Sequence, residues 1–346
     1  MGLISKFVLK ACETGLVPEK VIRFWCRRLY SRALKSASLG DIEARQAVFR
    51  QIIKDIKNKV SLNRDSEAKR EGIEPNPDFF KLFLGERLNE GCGYFPTGAE
   101  DLNDAEETML WMSSDRAKIR DGMDVLEIGC GWGAMTFWLA ENYPNIRITS
   151  VVDSTKRLII LKKKIKELGL TNITFVSADF EELDYGQSFD RILCLERFDL
   201  IARTENWDSR ISKMLKPEGK FFLQFPVHSS YSYYQDSVGL AEYPGRYILN
   251  PFLMPSAEML MMFQKNLYIE DYWKISGEAY KLTAEKWLKK FYFNRIAIFS
   301  SLEKVYGKKM AWTWMQRWKM YFLALSEQFG FNRGQEWMVA QYLFSF

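Results

Sequence analysis

The chain has 346 residues, 47% of them hydrophobic and 27% charged, and its 49 Lys and Arg against 44 Asp and Glu leave a net charge of +5. That length buries a sizeable core as one large domain with additions or as two domains, and the ordinary apolar-to-charged balance excludes a disordered or membrane-resident chain. No long like-charge block is present to engage nucleic acid or an anionic membrane, and Lys162, Lys163, Lys164 and Lys166 read as a solvated helix face.

The start, MGLISKFVLKACETGLVPEK, breaks its apolar patch with Lys10 and Glu13, so no signal peptide is expected, and MGLISK misses the myristoylation pattern at Ser5 and Lys6. From there to about Leu62 the pattern is helical, with Ala47, Ile52, Ile53, Ile56 and Val60 near one stripe of EARQAVFRQIIKDIKNKV. Residues 63–77 are charged and close on two prolines, which predicts a linker, with a helix beginning after Pro77. From Asp124 the rhythm becomes strand and helix in alternation: DVLEIG, RITSVV, ITFVSAD, FDRILCLE and GKFFLQF as strands, GAMTFWLAENY, STKRLIILKKKIKELG and WDSRISKMLKPEG as helices. This predicts an α/β fold, a parallel sheet covered on both faces. Beyond Tyr231 the chain is rich in aromatics and Met, with helical patterns in SAEMLMMFQKN, TAEKWLKKFYFNRIAIFSSLEKVYG and MAWTWMQRWKMYFLALSEQFG, the last read as core or an oligomer surface. The expected units are a helical extension and linker over 1–76, a Rossmann-like core over 77–230, and over 231–346 an aromatic-rich substrate cap that also completes the core.

Cys12, Cys26, Cys92, Cys130 and Cys194 are odd in number, widely spaced and without C-x-x-C pairing, so neither a disulfide framework nor a zinc site is expected and a cytoplasmic location fits. With His228 as the one histidine, a His-ligated metal centre is excluded. The chemistry points instead to VLEIGCGWG. After the first strand, Gly129, Gly131 and Gly133 allow positive φ and bring bare backbone to a ligand, while Glu127 faces a positive group. The spacing is G-x-G-x-G rather than the dinucleotide G-x-G-x-x-G, and an acid ahead of it repels phosphate, so a cationic nucleoside such as S-adenosylmethionine suits the turn. Asp153 after the second strand can accept from ribose hydroxyls; Asp179 and Phe180 after the third can meet the adenine amino group and ring. The competing reading makes the glycines a structural turn and the aspartates helix caps.

From FFKLFLG, CGYFPTGAEDLNDAEETML, LEIGCGWG, MPSAEML, EAYKLTAEKWLKK and FGFNRGQEWMVAQYLF, the chain resembles class I S-adenosylmethionine methyltransferases, in the cyclopropane fatty acid synthase and coclaurine N-methyltransferase branch, from about Pro77 to the C-terminus. The resemblance implies a mostly parallel seven-stranded sheet and methyl transfer to the nitrogen of a small amine, aromatic or alkaloid-like. It also implies Tyr94 and Ile192 at the cofactor, with Asp153 where the amine enzymes tend to carry Asn and Arg157 in place of a usual Gln.

The pattern breaks after the fourth strand. Where the amine enzymes resemble E-M-F-E-H, this chain reads ERFDL: Glu196 is kept, Asp199 shortens the second acid, and Leu200 replaces the histidine. Glu196 and Asp199 are expected to hold the amine, with His228 a candidate substitute base. Gln224 stands near the lipid enzymes' bicarbonate-binding histidine, so only Cys92 keeps that anion site. Tyr234, Tyr243, Phe252, Trp273 and Tyr280 are candidate walls of an apolar pocket attractive to a cationic amine. Methyl or methylene transfer to a lipid carbon, and a cofactor-binding protein that has lost catalysis, are the alternatives. The expected partner is a small amine, with no nucleic acid and no stable membrane anchor; a homodimer is left open.

Overall fold

The computed structural model describes residues 2–58, 77–152, 154–178, 180–183, 185–186, 188–204, 206–240, 248 and 253–346, except the side chains of 2–7, 181 and 203. Five parallel strands build its centre: β1 (Asp124–Ile128), β2 (Arg147–Val152), β3 (Ile173–Ser177), β4 (Phe189–Leu195) and β5 (Leu215–His228). β6 (Tyr233–Tyr234) and β7 (Leu253–Met254) form a separate ribbon; β8 (Tyr268–Ile275) and β9 (Trp337–Ser345) then complete the sheet in the order β3-β2-β1-β4-β5-β9-β8. β9 runs antiparallel to both neighbours. Near-continuous burial of β1, β4 and β9 explains why these segments read as apolar runs: helices cover both faces.

The helices are α1 (Gly2–Glu13), α2 (Glu19–Ala37), α3 (Ile42–Lys57), α4 (Pro77–Lys81), α5 (Leu102–Arg116), α6 (Ala134–Asn142), α7 (Thr155–Leu168), α8 (Phe198–Arg203), α9 (Trp207–Met214), α10 (Gly277–Phe293) and α11 (Arg295–Phe329). Capping follows local chemistry: Asp41, Asp101 and Ser154 accept backbone N–H groups at the starts of α3, α5 and α7, and Gly169 ends α7 with φ 65°. In α2, Ile22, Cys26, Leu29, Tyr30 and Ala33 are buried at helical spacing and pack toward α11, where the Tyr30 hydroxyl donates to the Ala324 carbonyl at 3.1 Å. In α3 the buried stripe is Ile52, Ile53 and Ile56; Ala47 is exposed and Val60 lies outside the described residues.

Three helical expectations are corrected. SAEMLMMFQKN forms only a short 3-10 turn, Met259–Phe263, because Met259 and Leu260 are swallowed by the core while Met261 and Met262 are left in solvent. WDSRISKMLKPEG is helical only to Met214; Leu215 joins β5, with an irregularity that moves the pairing from Phe189↔Leu215 to Arg191↔Lys220. The run over 283–307 is divided at Asn294, and Gly307, with φ 74° and ψ 158°, breaks the helix again. Among the described residues no helix is long and apolar enough to cross a membrane.

Candidate active site

The strand order reverses between β1 and β4, and open α/β sheets bind ligands beyond the carboxyl ends of strands at such a point. A cavity of about 630 Å³ opens there, lined by Glu127, Gly129 and Gly131 of the β1–α6 turn, by Ser154 and Arg157 around the start of α7, and by Leu195 and Glu196 after β4. Gly129 has φ 76°, and a Cβ on it would stand 2.9 Å from the Arg197 Cγ; Gly133 has φ 81° and its Cβ would meet the Phe137 ring at 2.8 Å. The turn is therefore restricted to bare backbone by conformation and by space. Glu127 is buried and accepts from the Thr136 hydroxyl, which lies 2.8 Å from that of Ser150. Burial, with no cation paired to it among the described residues, pushes its carboxyl up to about 7.

Glu196 lines the same cavity from the end of β4, the strand paired with β1. It has φ 60°, a left-handed conformation that a residue with a Cβ rarely adopts, held by its N–H donating to the Gln224 carbonyl at 2.7 Å. Its Oε1 accepts from Gln224 Nε2 at 3.0 Å, and burial pushes its carboxyl up to about 7 against that hydrogen bond. Gly91 makes the room: a Cβ there would lie 2.7 Å from the Glu196 Cγ. The adjacent acid is committed elsewhere. Asp199 is paired with Arg197 through Nε at 3.0 Å and Nη2 at 3.3 Å, and it is Arg197 that reaches the cavity wall.

The rest of the wall is aromatic. Tyr280 and Trp287 of α10 face Phe80 and Phe83 of the α4 region, and Tyr306, Trp314, Trp318, Tyr321 and Phe322 line it from α11. Trp318 packs at 5.4 Å from Phe79 and 5.1 Å from Phe83 between ring centroids. Residues 314, 318, 321 and 322 share one helix face, so MAWTWMQRWKMYF is core and cavity wall at once. The i, i+4, i+7, i+8 spacing carried that signal, although sequence alone pointed to core or an oligomer surface. The turn is further crossed by an ion pair, Arg157 Nη1 to Glu90 Oε2 at 3.3 Å, with the guanidinium 4.5 Å from the Trp132 ring centre.

Of the expected site residues, the fold brings Glu127, Gly129, Gly131, Glu196 and Tyr280 to this one cavity, with Gly133 capping α6 beside it. Asp153, Asp179, Tyr243 and Phe252 lie outside the described residues. Phe180 and Ile192, the latter within β4, are buried in one core cluster, and Tyr94, half-buried, donates its N–H to the Ala105 carbonyl at 2.9 Å. Tyr234 points instead to Asp55 at 2.9 Å, and Trp273 lies under Arg116, 5.1 Å from Cζ. His228 is corrected most clearly. It is fully buried among Tyr231, Tyr233 and Trp337, and its Nδ1 accepts from the backbone N–H groups of Ser230 and Tyr231, both at 3.0 Å. The ring proton then sits on Nε2, 3.6 Å from the Glu336 carboxylate, and burial lowers the imidazole to about 4, so no lone pair is left for a substrate proton.

An (S)-coclaurine N-methyltransferase of Thalictrum flavum subsp. glaucum is 27% identical over 341 residues, 97% of this chain and 94% of the relative. A crystal structure of coclaurine N-methyltransferase bound to N-methylheliamine and SAH superposes over 100% of both chains at 27% identity, with a TM-score of 0.89. The cyclopropane synthase MmaA2 of Mycobacterium tuberculosis, 17% identical, covers 85% of this chain and 98% of its own with a TM-score of 0.64, a likeness of fold. The family model for mycolic acid cyclopropane synthetase matches residues 61–337. With its seven-stranded, mostly parallel sheet and its cavity at the sheet's switch point, this chain is a class I methyltransferase fold and belongs to the mycolic acid cyclopropane synthetase family.

Proposed function

We propose that the protein is an S-adenosylmethionine-dependent N-methyltransferase acting on a small aromatic amine. The observation that carries the reading is that the glycine turn over Glu127 and the carboxylate of Glu196 open into a single cavity walled by aromatic rings. The residues fit the cofactor: a cradle that a Cβ would fill at Gly129, and a buried acid that has no cationic partner among the described residues and can meet an ammonium. When bound, S-adenosylmethionine supplies a methyl group already activated by its sulfonium, so the chain has to align a neutral nitrogen and remove its proton.

Glu196 is the group for both tasks. Its carboxylate, which already accepts from Gln224 and from the Cys92 backbone, keeps lone pairs for the amine N–H, and a carboxyl poised near 7 accepts a proton at neutral pH and returns it to solvent. The aromatic wall receives the ring and offers π faces to the cation. Asp199, neutralised by Arg197, and His228, sealed behind aromatic rings, leave Glu196 with the role that the resemblance spread over three residues. The amine reading is favoured over a lipid carbon because the amine enzyme's structure superposes along the whole chain, whereas the lipid-family structure agrees more loosely.

Incubation with labelled S-adenosylmethionine and a panel of cyclic aryl amines tests the proposal. Glu196→Gln is expected to lower kcat/KM about a hundredfold while leaving S-adenosylhomocysteine binding in calorimetry near that of the parent. Equal turnover by parent and variant on the best amine would remove Glu196 from the reaction.

A further inference from the structure

We infer that Gln224 and Gln341 form a directional relay, anchored at Arg116, that orients the Glu196 carboxylate. The inference rests on the reading of Glu196 given above. The two glutamines face each other across the antiparallel β5–β9 pair and are 3% and 0% exposed. A buried amide can be turned end for end at little steric cost, so its direction is set by a neighbour that only donates or only accepts. Arg116 only donates, and its Nη1 reaches Gln341 Oε1 at 2.5 Å. Gln341 must then present Nε2 to Gln224 Oε1, at 2.5 Å, where the Ser113 hydroxyl also donates at 3.0 Å. Gln224 is left with Nε2 directed at Glu196 Oε1, 3.0 Å away.

The relay thus delivers an N–H to the carboxylate, which favours its ionised form; the reverse order would deliver a carbonyl and disfavour it. Arg116 is itself held by the face of Trp273, so a ring first read as a pocket wall acts on the site through three intermediaries. Gln224, Gln341 and Arg116 are absent from the cavity lining, which makes them positioning residues. The other groups around Glu196 are the Cys92 thiol and the Tyr280 hydroxyl, both pushed up by burial and neutral at ordinary pH, its neighbour Arg197, paired with Asp199, and Glu90 on the same wall, paired with Arg157.

Gln341→Glu keeps the size and still accepts from Arg116, but has no donor for Gln224, whose amide must turn its carbonyl toward Glu196. Arg116→Met removes the anchor. The measurement is kcat/KM for 1,2,3,4-tetrahydroisoquinoline between about pH 6 and pH 9, for the parent, Gln341→Glu, Arg116→Met and Glu196→Gln, with thermal melting and S-adenosylhomocysteine calorimetry to establish folding. The acid limb is expected to move up by about one pH unit in Gln341→Glu, with about a fivefold loss at neutral pH that is recovered in alkali. Arg116→Met should move it the same way by less, and carries the test if Gln341→Glu does not fold. An unmoved limb in a folded variant overturns the relay. Undiminished activity of Glu196→Gln overturns the reading of Glu196 instead, so the two failures are told apart.

Discussion

Three acids of this chain, Glu106, Glu127 and Glu196, are pushed up to about 7 by burial, and two of them stand on the cavity wall. For Glu127 the consequence is proton-linked binding. Below neutral pH its carboxyl is protonated, and an ammonium beside it favours the ionised form, so ligand binding expels a proton. S-adenosylhomocysteine affinity is therefore expected to rise by up to about tenfold between roughly pH 6 and pH 8, with proton release visible as a dependence of the calorimetric heat on buffer ionisation enthalpy. Glu127→Gln should bind more weakly and without that dependence; the same slope in the variant would assign the proton elsewhere. Glu127 and Glu196 were legible in the sequence because each stands at the carboxyl end of an apolar strand, beside a glycine turn or a family motif. Gly91 and Gln341 were not: one is needed only because the Glu196 side chain arrives from residues 105 positions away, and the other is an ordinary polar residue until β9 sets it opposite Gln224.

At the scale of elements, α11 carries most of the aromatic cavity wall. Its aromatic face combines packing with lining, and Trp318 touches rings of both the α4 region and α11 itself. Trp318→Ala should raise the KM for a cyclic aryl amine about tenfold and cost about 3 kcal/mol of stability, with a smaller loss of S-adenosylhomocysteine affinity because Trp318 reaches Trp132 of the glycine turn only through Phe80. Trp318→Phe should restore most of both. Steady-state kinetics and thermal melting check this; an unaltered KM in Trp318→Ala would mean that the ring is only core. The wall is in turn braced by α2, where Arg23 reaches Glu285 of α10 at 2.6 Å and Glu327 of α11 at 3.0 Å. Such long-range pairs leave no periodic trace, whereas the helical spacing of Trp314, Trp318, Tyr321 and Phe322 is plain in the chain.

For the whole molecule, the same buried groups set how stability follows pH. A carboxyl raised to about 7 binds more protons folded than unfolded, so the contributions of Glu106, Glu127 and Glu196 are fully present below their unfolded values and are lost as pH rises through 7. His228, lowered to about 4, acts oppositely, its contribution being lost as pH falls through its folded value. Three acids outweigh one histidine, and the Tm of the ligand-free protein is expected to fall from about pH 5.5 to pH 8; a calorimetric Tm that rises over that range would show that these acids are ionised in the fold. The sequence by itself determined the alternation of strands and helices, the glycine turn with its acid and the aromatic richness of the C-terminal third, because apolar periodicity and backbone conformational demand are local properties written residue by residue. Only the tertiary structure decided that Asp199 is spent on Arg197, that His228 is sealed away from the cavity, that SAEMLMMFQKN is not a helix, and that residues from α4, α10 and α11 meet the glycine turn. Those outcomes depend on which distant donor, acceptor or ring fills the space beside a side chain, and burial of that kind exists only once the chain has folded.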